Sequence, residues 1–190
     1  MGAVRAERIR ETFDVEIKWT HFPLHPDTPR DGMTLQDLFA GRPIDIAAAQ
    51  SRLQGAMQRE GLPFGERTMT YNSRLAQELG TWADEISPSS SIHKLLYQAY
   101  FVHDQNLADT AVLVDIAVQA GLPEADARDV LDSRRYQAHV DADWQRSREL
   151  GVTGVPTYLA QDQRAVGAQA YDVLAQLVTA AGAQPRDTPG

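Results

Sequence analysis

The spacing of apolar residues changes twice along this chain, and the changes divide it into three parts. The first part opens with apolar residues at helical spacing, namely Ala6, Ile9 and Phe13. A strict apolar–polar alternation, typical of a half-buried strand, follows at Val15, Ile17 and Trp19. Prolines and a glycine interrupt residues 20–33 and predict a loop there. The N-terminal part is therefore predicted to be a helix followed by a strand.

Helical spacing then dominates from residue 34 to residue 149, with no strand signal of comparable strength. The apolar stripes consist of Ile46, Ala49, Leu53 and Met57, then Leu75, Leu79, Trp82 and Ile86, then Ile92, Leu95, Leu96 and Ala99. Further helices are indicated by Leu113, Ile116, Ala117 and Ala120, by Ala127, Val130 and Leu131, and by Tyr136, Val140 and Trp144. The centre of the chain is predicted to be an all-helical block.

Short apolar segments return after Gly151. Residues 157–159 and 164–166 lie on either side of a polar turn, which predicts a β-hairpin. A closing amphipathic helix is indicated by Leu174, Leu177, Val178 and Ala181. Residues 182–190 are rich in proline and glycine, and we expect a disordered tail there.

The composition narrows the class of protein. The 190 residues are 43% hydrophobic and 23% charged, which is ordinary for a globular domain. A net charge of -8 argues against nucleic-acid binding, which needs clustered Lys and Arg. No apolar stretch is long enough for a transmembrane helix, and the first ten residues lack the apolar core of a secretory signal. We therefore expect a cytoplasmic protein, and the sequence leaves its oligomeric state open.

Cysteine is absent, which excludes a thiolate nucleophile, a disulfide and a thiolate metal site within these residues. His21 and His25 have the i, i+4 spacing of a metal-binding pair, but that spacing aligns ligands on a helix and both residues lie in the proline-rich loop. We accordingly predict no metal site and no catalytic residue in this chain.

Four short motifs accompany this order of elements. The most specific is Gly-Val-Thr-Gly-Val-Pro-Thr at residues 151–157, and the others are at residues 22–27, 72–73 and 166–169. In these motifs and in its order of elements, the chain resembles the DsbA family of thioredoxin-fold proteins, and within it the FrnE-like branch. The resemblance implies an α/β fold in which a large helical insertion interrupts the sheet between its second and third strands.

The resemblance also implies a division into domains. Residues 1–33 and 150–181 would form a discontinuous thioredoxin-like domain, residues 34–149 the helical insertion domain, and residues 182–190 the tail. The first β-strand of the fold has no counterpart in these residues.

In relatives, a cis-proline precedes the third strand and faces the active site, and Val155–Pro156 matches that position. The main chain of the residue before this proline pairs with an extended substrate or with glutathione in such proteins, as in other cases of strand addition. Val155, Pro156 and Thr157 are therefore the substrate-binding residues that the resemblance implies.

Two further positions have a precedent in the family, each with a simpler structural alternative. Asn72 either lies near the substrate cleft or caps the helix that follows it. Gly167, Ala168 and Gln169 either contact the γ-glutamyl group of glutathione or cap the last helix. Glutathione is the only cofactor that the resemblance brings into consideration.

Relatives carry Cys-Pro-x-Cys at the start of the first helix, where the helix N-terminus lowers the pKa of the first cysteine. Residues 1–5 match the first turn of that helix, so the motif would stand a few residues before Met1. A missing central strand would also leave two strand edges unpaired. We therefore hypothesise that Met1 is a misplaced start and that the natural protein is longer.

The leading function is a thiol–disulfide oxidoreductase acting on a disulfide-containing protein or a small thiol, implied by the resemblance and not performed by these residues alone. One alternative is a glutathione-dependent isomerase or transferase of the 2-hydroxychromene-2-carboxylate isomerase and kappa-class group, in which serine replaces the first cysteine. Another is a redox-inactive module that binds peptides at Val155 and Pro156.

Overall fold

The computed structural model describes residues 1–88 and 90–186. The helices and strands are, in chain order, α1 (Gly2–Thr12), β1 (Met33–Thr34), α2 (Leu35–Leu38), α3 (Ile46–Arg59), β2 (Met69–Thr70), α4 (Arg74–Ile86), α5 (Ile92–Phe101), α6 (Thr110–Gln119), α7 (Glu124–Ser133), α8 (Gln137–Glu149), β3 (Thr157–Ala160), β4 (Gln163–Val166) and α9 (Tyr171–Ala180). None of the helices among these residues is long and apolar enough to cross a bilayer.

The chain forms two compact units whose boundaries differ from the predicted ones. The thioredoxin-like unit consists of Met1–Leu24 and the chain from Trp144 onward, and the helical unit consists of His25–Asp143. Residues 25–33, predicted to lie in the first domain, belong to the helical unit because its polar side chains hold them. Asn72 donates hydrogen bonds to the carbonyls of Pro26 and Thr28, and Asn106 donates one to the carbonyl of Arg30.

The predicted hairpin is confirmed. Strands β3 and β4 pair antiparallel, with Thr157 opposite Val166 and Ala160 opposite Gln163. The amide of Gly167 continues the ladder with a 2.8 Å hydrogen bond to the carbonyl of Pro156. The predicted first and last helices are also present, as α1 and α9. The hairpin pattern is reliable here because both strands are formed by neighbouring residues.

The predicted strand at residues 15–19 is not formed. Residues 15–20 have no regular secondary structure, and residues 16–20 make no backbone hydrogen bond to any described residue. Val15 and Ile17 are half-buried while Glu16 and Lys18 are exposed, so the alternation of burial is present without a ladder. Trp19, the last apolar position of the predicted half-buried strand, is 52% exposed. A strand needs a partner as well as an alternating sequence.

A second small sheet was not predicted. Strands β1 and β2, of two residues each, pair antiparallel within the helical unit. Two residues are too few to produce a period of two in the sequence, so this pairing has no sequence signal.

The core of the thioredoxin-like unit is small. Its buried members are Ile9 and Phe13 of α1 and Leu174 of α9. Half-buried side chains of the hairpin, including Tyr158 and Ala165, pack against them. Placement of α1 against α9 and the hairpin therefore depends on few apolar contacts.

Part of the predicted tail takes part in this unit. The amide of Asp14 donates to the carbonyl of Gln184 at 2.8 Å, and the amide of Arg186 donates to the carbonyl of Thr12 at 2.7 Å. The expectation of disorder is therefore wrong for residues 182–186, because their main chain pairs with the end of α1. Residues 187–190 of the predicted tail lie outside the described residues.

The helical unit has a larger core, as the stripes predicted. Its fully buried apolar side chains, from α4, α5, α6, α7 and α8, are Leu79, Trp82, Ile92, Leu113, Val130 and Val140. Glu78, on the same helix as Leu79 and Trp82, is also completely buried. A buried carboxylate requires compensating donors.

Two arginines supply those donors. Arg74 Nε donates to Glu78 Oε1 at 2.9 Å, while Arg134 Nε donates to Oε2 at 2.8 Å and its Nη2 donates to Oε1 at 2.7 Å. The hydrogen bond to Glu78 raises the pKa of Arg134. Arg134 ends α7 with a left-handed backbone (φ 55°), so the ion pair joins the end of α7 to the first turn of α4.

We expect Glu78→Ala to lower the free energy of unfolding by about 3 kcal/mol, because it leaves the Arg134 guanidinium without its acceptor and removes one acceptor of Arg74, which keeps its bonds to Gln137 and Asp141. Urea denaturation followed by circular dichroism measures this loss. Asp129→Ala is the matched control, since it removes the partner of Arg135 from an exposed pair on α7 and should cost at most about 1 kcal/mol. Equal losses in the two variants would contradict the role assigned to Glu78.

Candidate functional site

The N-terminus of α1 lies against the loop that precedes β3. The Val155–Pro156 peptide bond in this loop is cis. A Cβ atom on Gly2 would lie 2.9 Å from Tyr158 Oη and 3.3 Å from Pro156 Cγ. Glycine therefore allows the first turn of α1 to approach the proline ring more closely than any other residue would.

The electrostatics of this helix end favour a negative charge. No side chain caps α1 at its N-terminus, and its first turn contains no acidic residue. The first intrahelical donor is the amide of Arg5, at 3.2 Å from the carbonyl of Met1. The preceding amide groups and the positive end of the helix dipole are thus available to stabilise an anion, such as a thiolate, beside Pro156.

Arg5 ties α1 to the segment between β4 and α9. Its Nη1 donates to the carbonyl of Ala168 at 2.9 Å and to that of Gln169 at 2.5 Å. Gly2 and Arg5 are three residues apart and so share a face of α1. One helix face therefore contacts both loops of the candidate site.

The predicted residues 167–169 line this region, but they do not cap α9 through a side chain. The N-cap of α9 is Ala170, with no side-chain cap. Gly167 has a φ of 87°, a left-handed conformation that favours glycine, and its amide binds the carbonyl of Pro156. Gln169 donates its side-chain amide to the carbonyl of Val166. Glutathione contact by these residues stays a prediction.

One edge of β3 is open. Because Gly167 bonds to Pro156 across the hairpin, the register directs the main chain of Tyr158 toward β4 and that of Thr157 and Leu159 away from it. No other strand among the described residues pairs with β3. Val155 is 48% exposed, and the Thr157 hydroxyl donates to the carbonyl of Gly154 at 2.6 Å. The main chain from Val155 to Leu159 can therefore accept an extended segment.

Asn72 belongs to the helical unit, and its side chain has local partners. Its Nδ2 donates to the carbonyls of Pro26 and Thr28 at 3.0 Å, and its Oδ1 accepts from the amide of Arg74 at 2.9 Å. Those contacts use both hydrogens of the Asn72 side-chain amide. The bond from the Arg74 amide is of the kind expected if Asn72 caps the helix that follows it. The structure gives Asn72 a structural role at the start of α4.

The sequence interpretation did not assign a site role to Gly2, Arg5 or Tyr158. A signal for the first two existed, because their spacing of three places them on one helix face next to the expected motif. Tyr158 gave no such signal, since an aromatic residue in a strand is ordinarily a packing residue. Among the described residues, no cluster of three or more His, Cys, Asp or Glu side chains is arranged to hold a metal ion.

Comparison with known proteins agrees with the fold. Residues 1–179 match the model of the DSBA-like thioredoxin domain, and the chain belongs to that family. Over 187 residues it is 26% identical to the uncharacterized protein YwbO of Bacillus subtilis strain 168, covering 94% of this chain and 88% of YwbO.

Two solved structures are similar to this fold. The probable DsbA oxidoreductase SCO1869 of Streptomyces coelicolor superposes with a TM-score of 0.86 and 27% identity, over 95% of this chain and 83% of SCO1869. A putative protein disulfide isomerase of Nitrosomonas europaea has a TM-score of 0.57 and 20% identity, over 70% of this chain and 72% of the other. The second similarity concerns the fold alone.

We expect Arg5→Gln to destabilise the thioredoxin-like unit by about 1–3 kcal/mol, since a charged donor loses two carbonyl acceptors. Amide hydrogen exchange should show faster exchange in residues 167–170 and in α1. Arg10→Gln is the control, because Arg10 is exposed and, among the described residues, its side chain pairs with Glu7 alone. Unchanged amide exchange rates in Arg5→Gln would contradict the stabilising role assigned to the Arg5 hydrogen bonds.

Proposed function

We propose that this chain carries the substrate-binding and thiolate-stabilising parts of a thiol–disulfide oxidoreductase of the FrnE-like branch. The observation that carries the proposal is the uncapped N-terminus of α1 beside the Val155–Pro156 loop. A thiolate placed at that helix end would be stabilised by free amide groups and by the helix dipole. The substrates would be disulfide-containing proteins or small thiols.

The chemistry requires two cysteines, and these 190 residues contain none. With a Cys-Pro-x-Cys pair at the start of α1, the first thiolate attacks a substrate disulfide, forms a mixed disulfide and expels one substrate thiolate. The second cysteine then attacks the mixed disulfide and releases the other substrate thiol. The enzyme pair is oxidised by two electrons as the substrate disulfide is reduced, and the reverse direction oxidises a substrate dithiol.

The unpaired main chain supports a further part of the proposal. Residues 16–20 make no backbone hydrogen bond to a described residue, and β3 has an open edge at Thr157 and Leu159. A further strand that paired with the open edge of β3 would satisfy its free main-chain groups. We infer that such a strand leads into the cysteine motif in the functional protein. This inference rests on the unpaired groups and not on the position of Met1.

Val155 would bind the substrate through its main chain. It is the exposed residue before Pro156, and strand addition uses main-chain groups for affinity. The cytoplasmic location expected from the sequence would make the substrates cytoplasmic proteins or thiols, and the direction of exchange stays open. That location stays a prediction, which fractionation of cells with an antibody to this chain would test.

The decisive experiment reads the in-frame DNA before the codon for Met1 and then assays the extended protein. We expect Cys-Pro-x-Cys within about ten codons, an offset taken from the family resemblance, and reduction of insulin disulfides by the extended chain. The 190-residue chain should show only background turnover, because it has no thiol. Replacing the first cysteine of the extended chain with serine is the control, and it should abolish turnover.

Other results would favour other functions. Serine in place of the first cysteine, with glutathione-dependent turnover, would support the isomerase or transferase alternative. The uncapped helix end also suits this alternative, because it would stabilise the thiolate of glutathione. An upstream region without cysteine or serine would overturn both enzyme proposals. Cooperative unfolding of the 190-residue chain, together with peptide binding at Val155, would then favour the redox-inactive module.

A further inference from the structure

The helical unit contains a cavity that is separate from the candidate redox site. It lies between α3 and the segment before β2, and its volume is about 440 Å³. Its lining includes the apolar side chains of Leu35, Ile46 and Phe64 and the polar side chains of Gln50 and Arg67. This volume lies within the range of about 300–1,000 Å³ that is common for ligand cavities in proteins. Most of the lining residues are polar, and the remaining polar ones are Gln36, Ser51, Gln54, Glu66 and Thr68.

Helix α3 covers this cavity without filling it. The predicted apolar stripe of α3 is formed by Ile46, Ala49, Leu53 and Met57. None of the 14 residues of this helix is buried. An amphipathic helix of four turns normally buries its apolar face. Of this stripe, Ile46 lines the cavity, and the other lining residues of α3 are Ala47, Gln50, Ser51 and Gln54.

Arg67 brings a positive charge to this cavity without an acidic partner. Its Nη2 donates to the carbonyl of Met69 at 3.2 Å and to Tyr100 Oη at 2.5 Å, and the guanidinium stacks 4.1 Å from the Tyr100 ring centroid. Its Nε is buried without a hydrogen-bond partner, and Nη1 has none among the described residues. No carboxylate in the described part of the chain forms an ion pair with it.

The wall that carries Arg67 is held in place by the main chain. The amide of Gly65 donates to the carbonyl of Phe101 at 2.9 Å, and a Cβ atom on Gly65 would lie 2.1 Å from the carbonyl oxygen of Val102. Gln50 Nε2 donates to the carbonyl of Arg67 at 2.7 Å, which joins the wall to α3. The guanidinium is thus fixed before any ligand arrives, and less entropy is lost on binding.

We propose that this cavity binds a small organic carboxylate with a hydrocarbon body. The carboxylate accepts hydrogen bonds from the free Nη1 of Arg67, and the hydrocarbon packs against Leu35, Ile46 and Phe64. A carboxylate suits the free Nη1 because a hydrogen bond between two charged groups is about twice as strong as a neutral one. Glu66 also lines the cavity, and its negative charge limits the affinity for such a ligand. This site does not depend on thiol chemistry, so its test is independent of the proposed function.

The test uses the 190-residue chain with octanoate as the probe and octanol as the uncharged ligand of similar length. Titration calorimetry gives both affinities, and amide chemical shifts locate the site. We expect octanoate to bind at least about tenfold more tightly than octanol, as a charge-assisted hydrogen bond implies. The chemical-shift changes should centre on α3 and residues 64–68.

Four variants separate charge from folding. Arg67→Gln should remove the preference for octanoate over octanol. Arg67→Lys keeps the positive charge and should retain part of this preference. It also provides a folded variant in case Arg67→Gln does not fold. Arg52→Gln removes a positive charge from an exposed position of α3 and should leave the preference unchanged. Glu66→Gln should strengthen octanoate binding and leave octanol binding unchanged.

Three results would overturn the proposal. These are equal binding of octanoate and octanol to the unmodified chain, no binding of either at millimolar concentration, and a preference that survives in folded Arg67→Gln. Weaker octanoate binding in Glu66→Gln would also contradict it, because that variant removes a repulsive charge. In any of these cases Arg67 serves only to pack the end of α5.

Discussion

The apolar contact between α1 and α9 is the interaction on which the candidate redox site depends. Ile9 and Phe13 from one helix and Leu174 from the other are the buried members of this core, and a fully buried side chain of this size contributes about 1.5–3 kcal/mol. Together they fix the axis of α1. Because the axis is fixed, Gly2 reaches Pro156 and Arg5 reaches the carbonyls before α9. A small core thus positions the helix end at which a thiolate would be stabilised.

The helical unit is stabilised in a different way. Its core is larger, and a fully buried carboxylate at Glu78 joins α4 to the end of α7 through Arg134. A buried ion pair of this kind stabilises little in net terms, but it penalises arrangements in which one partner is missing. The same unit leaves α3 without a buried residue. Close packing around α4 and a cavity beside α3 therefore occur in the same unit.

Local patterns in the sequence predicted most of the fold. The hairpin, the helices and the fully buried Trp82 follow from period and spacing alone. Features that depend on distant residues were not predictable in this way. Residues 15–19 alternate correctly and still form no strand, and residues 182–186 look disordered yet pair with the end of α1. In both cases the outcome is decided by a partner, or its absence, elsewhere in the chain.

For the candidate site, the resemblance to a family predicted the loop around Pro156. The contacts of Gly2 and Arg5 with this region are seen only in the three-dimensional structure.

The unpaired main chain of residues 16–20 has a further consequence for the behaviour of the protein in solution. Free amide and carbonyl groups along an extended segment are a template for intermolecular β-sheet. Glu16 and Lys18 are exposed on this segment, and charged side chains on a strand edge oppose aggregation. Glu16 and Lys18 thus oppose self-association through this segment, and salt that screens their charges would weaken that protection.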